Sequence, residues 1–345
     1  MLKFSFLVPI YNGEKYIERL FTSLLNQDIP LSEYEILCVD DCSTDSSVKN
    51  IRQYQEKFSN IRLFRNKHNC RVATNVNNLI SKANGKYFWI IGQDDFIERN
   101  CLKRIFQKLE NESLEVLLFN YRCVQENESI ISDLRVVNAT NTLKGIDWIK
   151  NEFTERDYCQ YLLGYEWRAV YRRDFWLKKN IRCVEGMNYE DTIIMLKAIV
   201  YANTVASIDD ILYNYRINDS SITYSINHVK RGDLIYEFAF VVGQEVEDFY
   251  DELKKKDVSL SENLHTHLIE RYNSFWLDII RTPNEHKRSF YKCVEENRDF
   301  ITSKRGYLNW KSRLLTTKIL GYPIACVCYY AYRQCKKIKC SLQCI

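Results

Sequence analysis

A chain of 345 residues, 46% hydrophobic and 27% charged, has enough apolar side chain for a packed core in one large domain or two modest ones, which excludes a disordered chain. Its net charge of +4 is small for that length and argues against a nucleic-acid-binding protein, so any basic face is local. Thirteen cysteines include no C-x-x-C pair, and the N-terminal "MLKFSFLVPIYNGEK" lacks the long apolar core of a signal peptide, so reduced thiols in a cytoplasmic chain are expected rather than a zinc site or a disulfide framework.

Along the first part, short apolar runs alternate with segments of helical period. Phe4–Ile10 reads as a strand, and Gly13–Gln27 carries Ile17, Leu20, Phe21, Leu24 and Leu25 on one helix face. Glu35–Val39 is a second strand. Val48, Ile51, Tyr54 and Phe58 mark a second helix, with Ser43 and Asp45 as capping candidates. Ile61–Phe64 is a third strand, and Val72, Val76, Leu79, Ile80 and Ala83 form a third helix that stops at Gly85. Lys86–Ile91, a helix bearing Leu102, Ile105, Phe106 and Leu109, and the strand Val116–Phe119 complete the series. This alternation predicts an α/β fold with a mostly parallel sheet flanked by helices. "YEWRAVYRRDFW" reads as a buried helix with a basic edge, in which Trp167 is either core or a stacking platform for a ligand. "LYNYRINDSSIT" is expected to follow the last strand as a loop. There Tyr215 would line a pocket, and Arg216 would either neutralise a phosphate-bearing ligand or simply be solvated.

Beyond residue 225 the pattern becomes long, mixed-charge helix, which is the candidate acceptor-selecting or dimer-forming part. At the end, Ile319–Ala331 is apolar and aromatic and is followed by Arg333, Lys336, Lys337 and Lys339. That run is shorter than the roughly twenty residues a membrane span needs. It suits either an interfacial segment drawn to anionic lipid or a core helix with a solvated tail.

The acidic strand ends carry the chemistry. In a parallel sheet, ligands bind at the carboxyl ends of strands, near a switch in strand order. Asp40 and Asp41 follow "YEILCV", and Asp94 and Asp95 follow "WIIGQ". Adjacent carboxylates suit Mg²⁺ or Mn²⁺, which take one or two protein carboxylates and complete their shell with phosphate oxygens. Taken alone, such a pair is as readily a helix cap or a solvated turn. No G-x-G-x-x-G follows the first strand, so a glycine-rich pyrophosphate cradle is excluded. No Ser-His-Asp or Cys-His arrangement offers a nucleophile, and the five histidines form no metal cluster.

Four stretches, "FSFLVPIYNGEKYIERLFTSLLNQ", "EILCVDDCSTDSS", "ANGKYFWIIGQDDFIE" and "EGMNYEDTIIMLKAI", together resemble family 2 glycosyltransferases of the GT-A fold. The resemblance covers about the first 225 residues. It implies a glycosyltransferase domain over 1–225, with nucleotide-sugar binding in 1–120 and the acceptor and catalytic part in 121–225. Residues 226–345 would be a helical extension ending in a membrane-associating segment, 314–345. The resemblance also implies that Pro9 and Tyr11 line the base, Asp41 binds uracil or ribose and Asp40 supports its loop. Arg71 would approach the nucleotide or its diphosphate, Asp94 the sugar or ribose, and Asp95 would bind Mn²⁺ or Mg²⁺. Asp191, beside Glu190 in "YEDT", would be the general base of an inverting transfer. The expected partners are a nucleotide-sugar donor, such as a UDP-sugar, and a glycan or lipid-linked acceptor, with peripheral contact on the inner face of the plasma membrane and no nucleic acid. One departure stands out: many relatives carry an aspartate where this chain has Gly92. Two rival readings remain, a glycan-binding scaffold that kept the fold and a nucleotidyltransferase. The latter would bring a glycine- and lysine-rich phosphate loop that "PIYNGEKY" lacks.

Overall fold

The structure is a computed structural model, and it describes residues 2–155, 165–185, 191–218, 243–257, 259, 260 and 262. The chain divides into two compact units, 1–218 and 219–345.

In the first unit the expected alternation is present. Strand β1 (Phe4–Ile10) leads to helix α1 (Ile17–Leu25), β2 (Tyr34–Asp40), α2 (Ser47–Gln55), β3 (Ile61–Arg65), α3 (Arg71–Lys82) and β4 (Tyr87–Ile90). A short β5 (Phe96–Ile97), α4 (Leu102–Asn111), β6 (Val116–Val124), β7 (Ile130–Leu134) and α5 (Gly145–Glu155) follow. The unit closes with β8 (Ala169–Arg172), α6 (Arg173–Lys178), α7 (Asp191–Tyr201) and β9 (Val205–Arg216). In the second unit, helix α8 (Gly243–Lys256) is described, and the segment 314–345 lies outside the described residues. Among the described residues no helix is long and apolar enough to cross a membrane.

All the described strands belong to one sheet in the order β3-β2-β1-β4-β8-β6-β9-β5, with β7 pairing β6. The β3-β2-β1-β4 half is parallel throughout. In the other half β8 runs antiparallel to β4 and β6, β5 antiparallel to β9, and β7 antiparallel to β6, while β9 is parallel to β6. Strands β1, β2 and β4 are buried on both faces, which their unbroken apolar runs require: β2 and β4 are buried at every position, and β1 at all but Pro9. The edge strand β3 is buried only at Ile61. Pro9 lies beyond Leu7, where the β1–β4 pairing ends, so its missing N–H breaks no bond on that side.

Two expectations need correction. "YEWRAVYRRDFW" is not one helix. It is a 3₁₀ turn (Glu166–Arg168), the strand β8 and the short helix α6. Buried Val170 and Tyr171 sit in register between β4 and β6, and that pairing outweighs any helical preference of the segment. "LYNYR" is likewise no loop, because it forms the last residues of β9, where Tyr213 and Asn214 pair with β5.

Strand order sets the site. The chain moves outward from β1 to β2 and β3, then returns to place β4 on the other side of β1. The loops that leave β1 and β4 therefore diverge at a topological switch point, where an open α/β sheet leaves its crevice.

Candidate functional site

The loops after β1 and β2 are stitched to each other. The Asn12 N–H donates to Ser43 Oγ at 2.9 Å, the Gly13 N–H to Ser47 Oγ at 2.8 Å, and the Thr44 N–H to Asn12 Oδ1 at 2.9 Å. Of the two capping candidates, Asp45 serves α2 by accepting the Ser47 N–H at 2.9 Å, while Ser43 is spent on Asn12. Pro9 is half-buried beneath this edge, and Tyr11 is exposed on it.

Asp40 and Asp41 differ in their tasks. Asp40 is fully buried, accepts the Ser43 N–H at 3.3 Å and pairs with Arg65 Nε at 3.2 Å, which fixes the loop. The Asp41 carboxylate accepts Asn66 Nδ2 at 2.8 Å, the Cys70 N–H at 2.7 Å and the Arg71 N–H at 2.9 Å. It therefore caps α3 from across the sheet, with its charge at the positive end of that helix. Arg71 stands at the same end with φ 68°, a left-handed conformation that turns its backbone N–H onto Asp41.

Asp94 and Asp95 lie at the carboxyl end of β4, separated from Asp41 by the end of β1. Asp95 is buried, and both of its oxygens accept from β9: Oδ1 from the Arg216 N–H at 2.7 Å, Oδ2 from the Tyr213 hydroxyl at 2.7 Å. The same hydroxyl accepts the Gly92 N–H at 2.9 Å. Burial, then the charge of Asp94, pushes the Asp95 carboxyl well above the usual carboxylate range. Asp94 is the less enclosed of the two; its Oδ2 accepts from Asn218 Nδ2 at 2.8 Å, and burial raises its carboxyl as well. Gly92 has a steric reason here. A Cβ at that position would lie 2.6 Å from Asp95 Oδ2, so the missing side chain leaves the room into which the Asp95 carboxylate folds.

Arg216 lies in a strand rather than a loop, as the buried last residue of β9. Its Nε donates to the Asp94 carbonyl at 2.8 Å, one terminal nitrogen to the Glu126 carbonyl at 2.6 Å, and the other meets Glu128 at 3.3 Å. Its guanidinium also lies over the Phe96 ring, 5.5 Å from the centroid. Trp167 is core: it stacks on Tyr213 at 4.4 Å and on Tyr215 at 5.4 Å, forming an aromatic floor under Asp95. Asp191 is the first residue of α7, but its side chain, like residues 186–190, lies outside the described residues.

The donor set suits a hard cation bound with a phosphate. Among the described residues no group of three or more His, Cys, Asp or Glu gathers, so any cation held by this pair of carboxylates would need ligand oxygens for its remaining positions. Two adjacent carboxyls that burial biases toward the neutral form would be drawn back to the ionised form by a divalent charge. Gln93, Tyr213, Asn66 and Asn218 complete the site and escaped the sequence reading. Tyr213 and Asn218 are more than a hundred positions from the acids they touch, and no local spacing marks them. Gln93 alone carried a signal, as the polar residue between Gly92 and the acidic pair.

Residues 5–170 match the family described as Glycosyl transferase family 2. The poly(ribitol-phosphate) β-N-acetylglucosaminyltransferase TarS of Staphylococcus aureus (strain Mu50) is 27% identical over 281 residues, covering 81% of this chain and 47% of that protein. The chain thus spans about half the length of that relative. The processive diacylglycerol β-glycosyltransferase of Mycoplasma genitalium is 26% identical over 69% of this chain and 71% of its own. Among solved structures, S. aureus TarS 1–349 in complex with UDP-GlcNAc superposes with a TM-score of 0.69 at 22% identity, covering 96% of this chain and 92% of that one. The fold is therefore the GT-A fold.

Proposed function

We propose that the chain, whose residues 5–170 match glycosyl transferase family 2, moves a hexose from a nucleotide-diphosphate sugar to an acceptor hydroxyl. The observation that carries this reading is the convergence of Asp41, Tyr11 and the Asp94–Asp95 pair on one edge of the sheet, at its switch point. A UDP-sugar is the proposed donor, since the TarS domain of like fold was solved with UDP-GlcNAc and with UDP. The proposed acceptor is a glycan or lipid-linked glycan of a bacterial-type surface polysaccharide, met at the inner face of the plasma membrane. Relatives that act on poly(ribitol-phosphate) and on diacylglycerol support a hydroxyl acceptor of that broad kind.

In this reading Pro9 and Tyr11 flank the base, and Asp41 meets uracil or ribose while Asp40 holds its loop. Arg71, at the start of α3, faces the nucleotide. Asp94 would meet the sugar or ribose, and Asp95 would hold Mn²⁺ or Mg²⁺, which as a Lewis acid neutralises the departing diphosphate when bound. Asp191 accepts the proton of the attacking hydroxyl, a role worth about 10²–10⁴-fold in rate. Inversion in one displacement needs no covalent intermediate on the protein, only the two reactants held in line.

The test is a screen of nucleotide sugars with Mn²⁺ or Mg²⁺, read as thermal stabilisation and nucleotide release. A metal-dependent response to a UDP-sugar is expected. Oligosaccharide binding with no response to any nucleotide sugar would replace the enzyme with a scaffold. Asp191→Asn should abolish transfer and leave donor binding nearly intact, whereas Asp95→Asn should lose the metal-dependent part of that binding.

A further inference from the structure

The crevice between β1 and β4 is bridged by one side chain. Tyr11 leaves β1 and Gln93 follows β4, and the Gln93 carboxamide takes both backbone polar groups of Tyr11: the Tyr11 N–H donates to Oε1 at 2.8 Å, and Nε2 donates to the Tyr11 carbonyl at 3.0 Å. The paired bonds fix the orientation of the amide, because only its oxygen can accept an N–H. Backbone pairing of the two strands ends with the Ile91 N–H donating to the Leu7 carbonyl at 2.9 Å, so Gln93 extends the ladder past the point where the strands part. The contact also shapes its surroundings: a Cβ on Gly13 would stand 2.6 Å from Gln93 Oε1, so the glycine leaves room for the carboxamide.

Each end of this link carries a different part of the donor site. Tyr11 belongs to the loop that meets the base, and Gln93 immediately precedes Asp94 and Asp95 at the diphosphate end. We propose that Gln93 is a positioning residue that sets the span between the base-binding and diphosphate-binding halves of the site. The proposal rests on reading the site as one for a nucleoside diphosphate. A ligand that engages both halves gains from their being held at a fixed separation, because its second contact is then intramolecular and preorganised. A ligand that engages one half gains nothing.

That difference gives the test. In the full-length protein, Gln93→Met keeps the side-chain length and removes both amide bonds. Gly13→Ala leaves Gln93 in place but forces its carboxamide away from Tyr11. Binding of UDP, of uridine and of inorganic pyrophosphate with Mn²⁺ is then measured by calorimetry or ligand-observed NMR. Both variants should weaken UDP roughly tenfold while uridine and pyrophosphate change by less than about twofold. In turnover the same split would raise the donor KM more than it lowers kcat. UDP affinity equal to wild type in both variants would overturn the proposal, and so would equal weakening of all three ligands, which marks general loss of structure. A wild-type protein that binds uridine and pyrophosphate but not UDP would also end it. Failure of the wild type to bind any of the three would instead remove the nucleotide reading beneath it.

Discussion

At the scale of single residues, Asp95 and Arg216 form a buried pair of opposite costs. A carboxyl whose value is raised in the folded state stabilises the fold only while protonated. That contribution is full below the ordinary carboxylate range and is lost as pH rises through the raised value. Burial and the neighbouring Asp94 raise Asp95, while Tyr213 and Arg216 pull the other way. In the presence of chelator, the urea midpoint should therefore fall as pH climbs above the ordinary carboxylate range, and Asp95→Asn should flatten that slope. Metal-dependent nucleotide binding has the opposite sense, since it needs the ionised form and should fade as pH drops through the same raised value. For Arg216 the expectation is stability rather than rate. Arg216→Met would strand the Asp94 and Glu126 carbonyls and leave Glu128 with Arg19 as its remaining partner, costing about 3 kcal/mol in urea unfolding. A variant of wild-type stability with slow diphosphate departure would instead give Arg216 the diphosphate-neutralising role.

At the scale of elements, the first half of the sheet was open to reading because β1, β2 and β4 are buried on both faces and each helix carries one apolar face. β1 and β2 are unbroken apolar runs, and α1 buries Ile17, Leu20, Phe21 and Leu24 at helical spacing. Local pattern and global fold agree there. β8 and β9 resisted because their pairing is made with partners far along the chain: β8 lies between β4 and β6, and β9 between β6 and β5. An apolar–basic mixture such as "RAVYRR" has no period that decides between helix and strand. The same limit holds at the site. Asp41 was legible as an acidic strand end, but its three donors come from the segment after β3 and the first residue of α3, which no spacing ties to it. That arrangement gives Asp41 a second role with its own prediction. Asp41→Ala removes the cap from the N-terminus of α3, so unfolding free energy should drop by about 1–2 kcal/mol in the absence of nucleotide, measured by urea titration. The loss should grow when UDP is added, because the wild type alone gains the ligand's full stabilisation. A loss confined to the titration with UDP would leave the capping role without effect.

At the scale of the whole molecule, the residues proposed to bind donor and run the transfer all fall within the first compact unit, 1–218, and the basic–aromatic end falls in the second, 219–345. A transferase whose acceptor is anchored to lipid gains from residence at the membrane, since the search for the acceptor is then confined to a surface. Two different forces would hold the terminal segment there, and they separate experimentally. Arg333, Lys336, Lys337 and Lys339 each contribute about 1 kcal/mol near an anionic surface, a term that salt screens within a Debye length. The aromatic and apolar residues of 319–331 contribute by burial in the interface, which salt leaves in place. In co-sedimentation with vesicles that contain phosphatidylserine, the full chain should bind and should be released only in part by high salt. Replacing the four basic residues with glutamine should leave the salt-resistant part, and ending the chain after Arg313 should abolish both. A chain ended at Arg313 that still sediments with the vesicles would place the membrane-binding surface elsewhere in the protein, and the terminal segment would then be a core helix with a solvated basic tail.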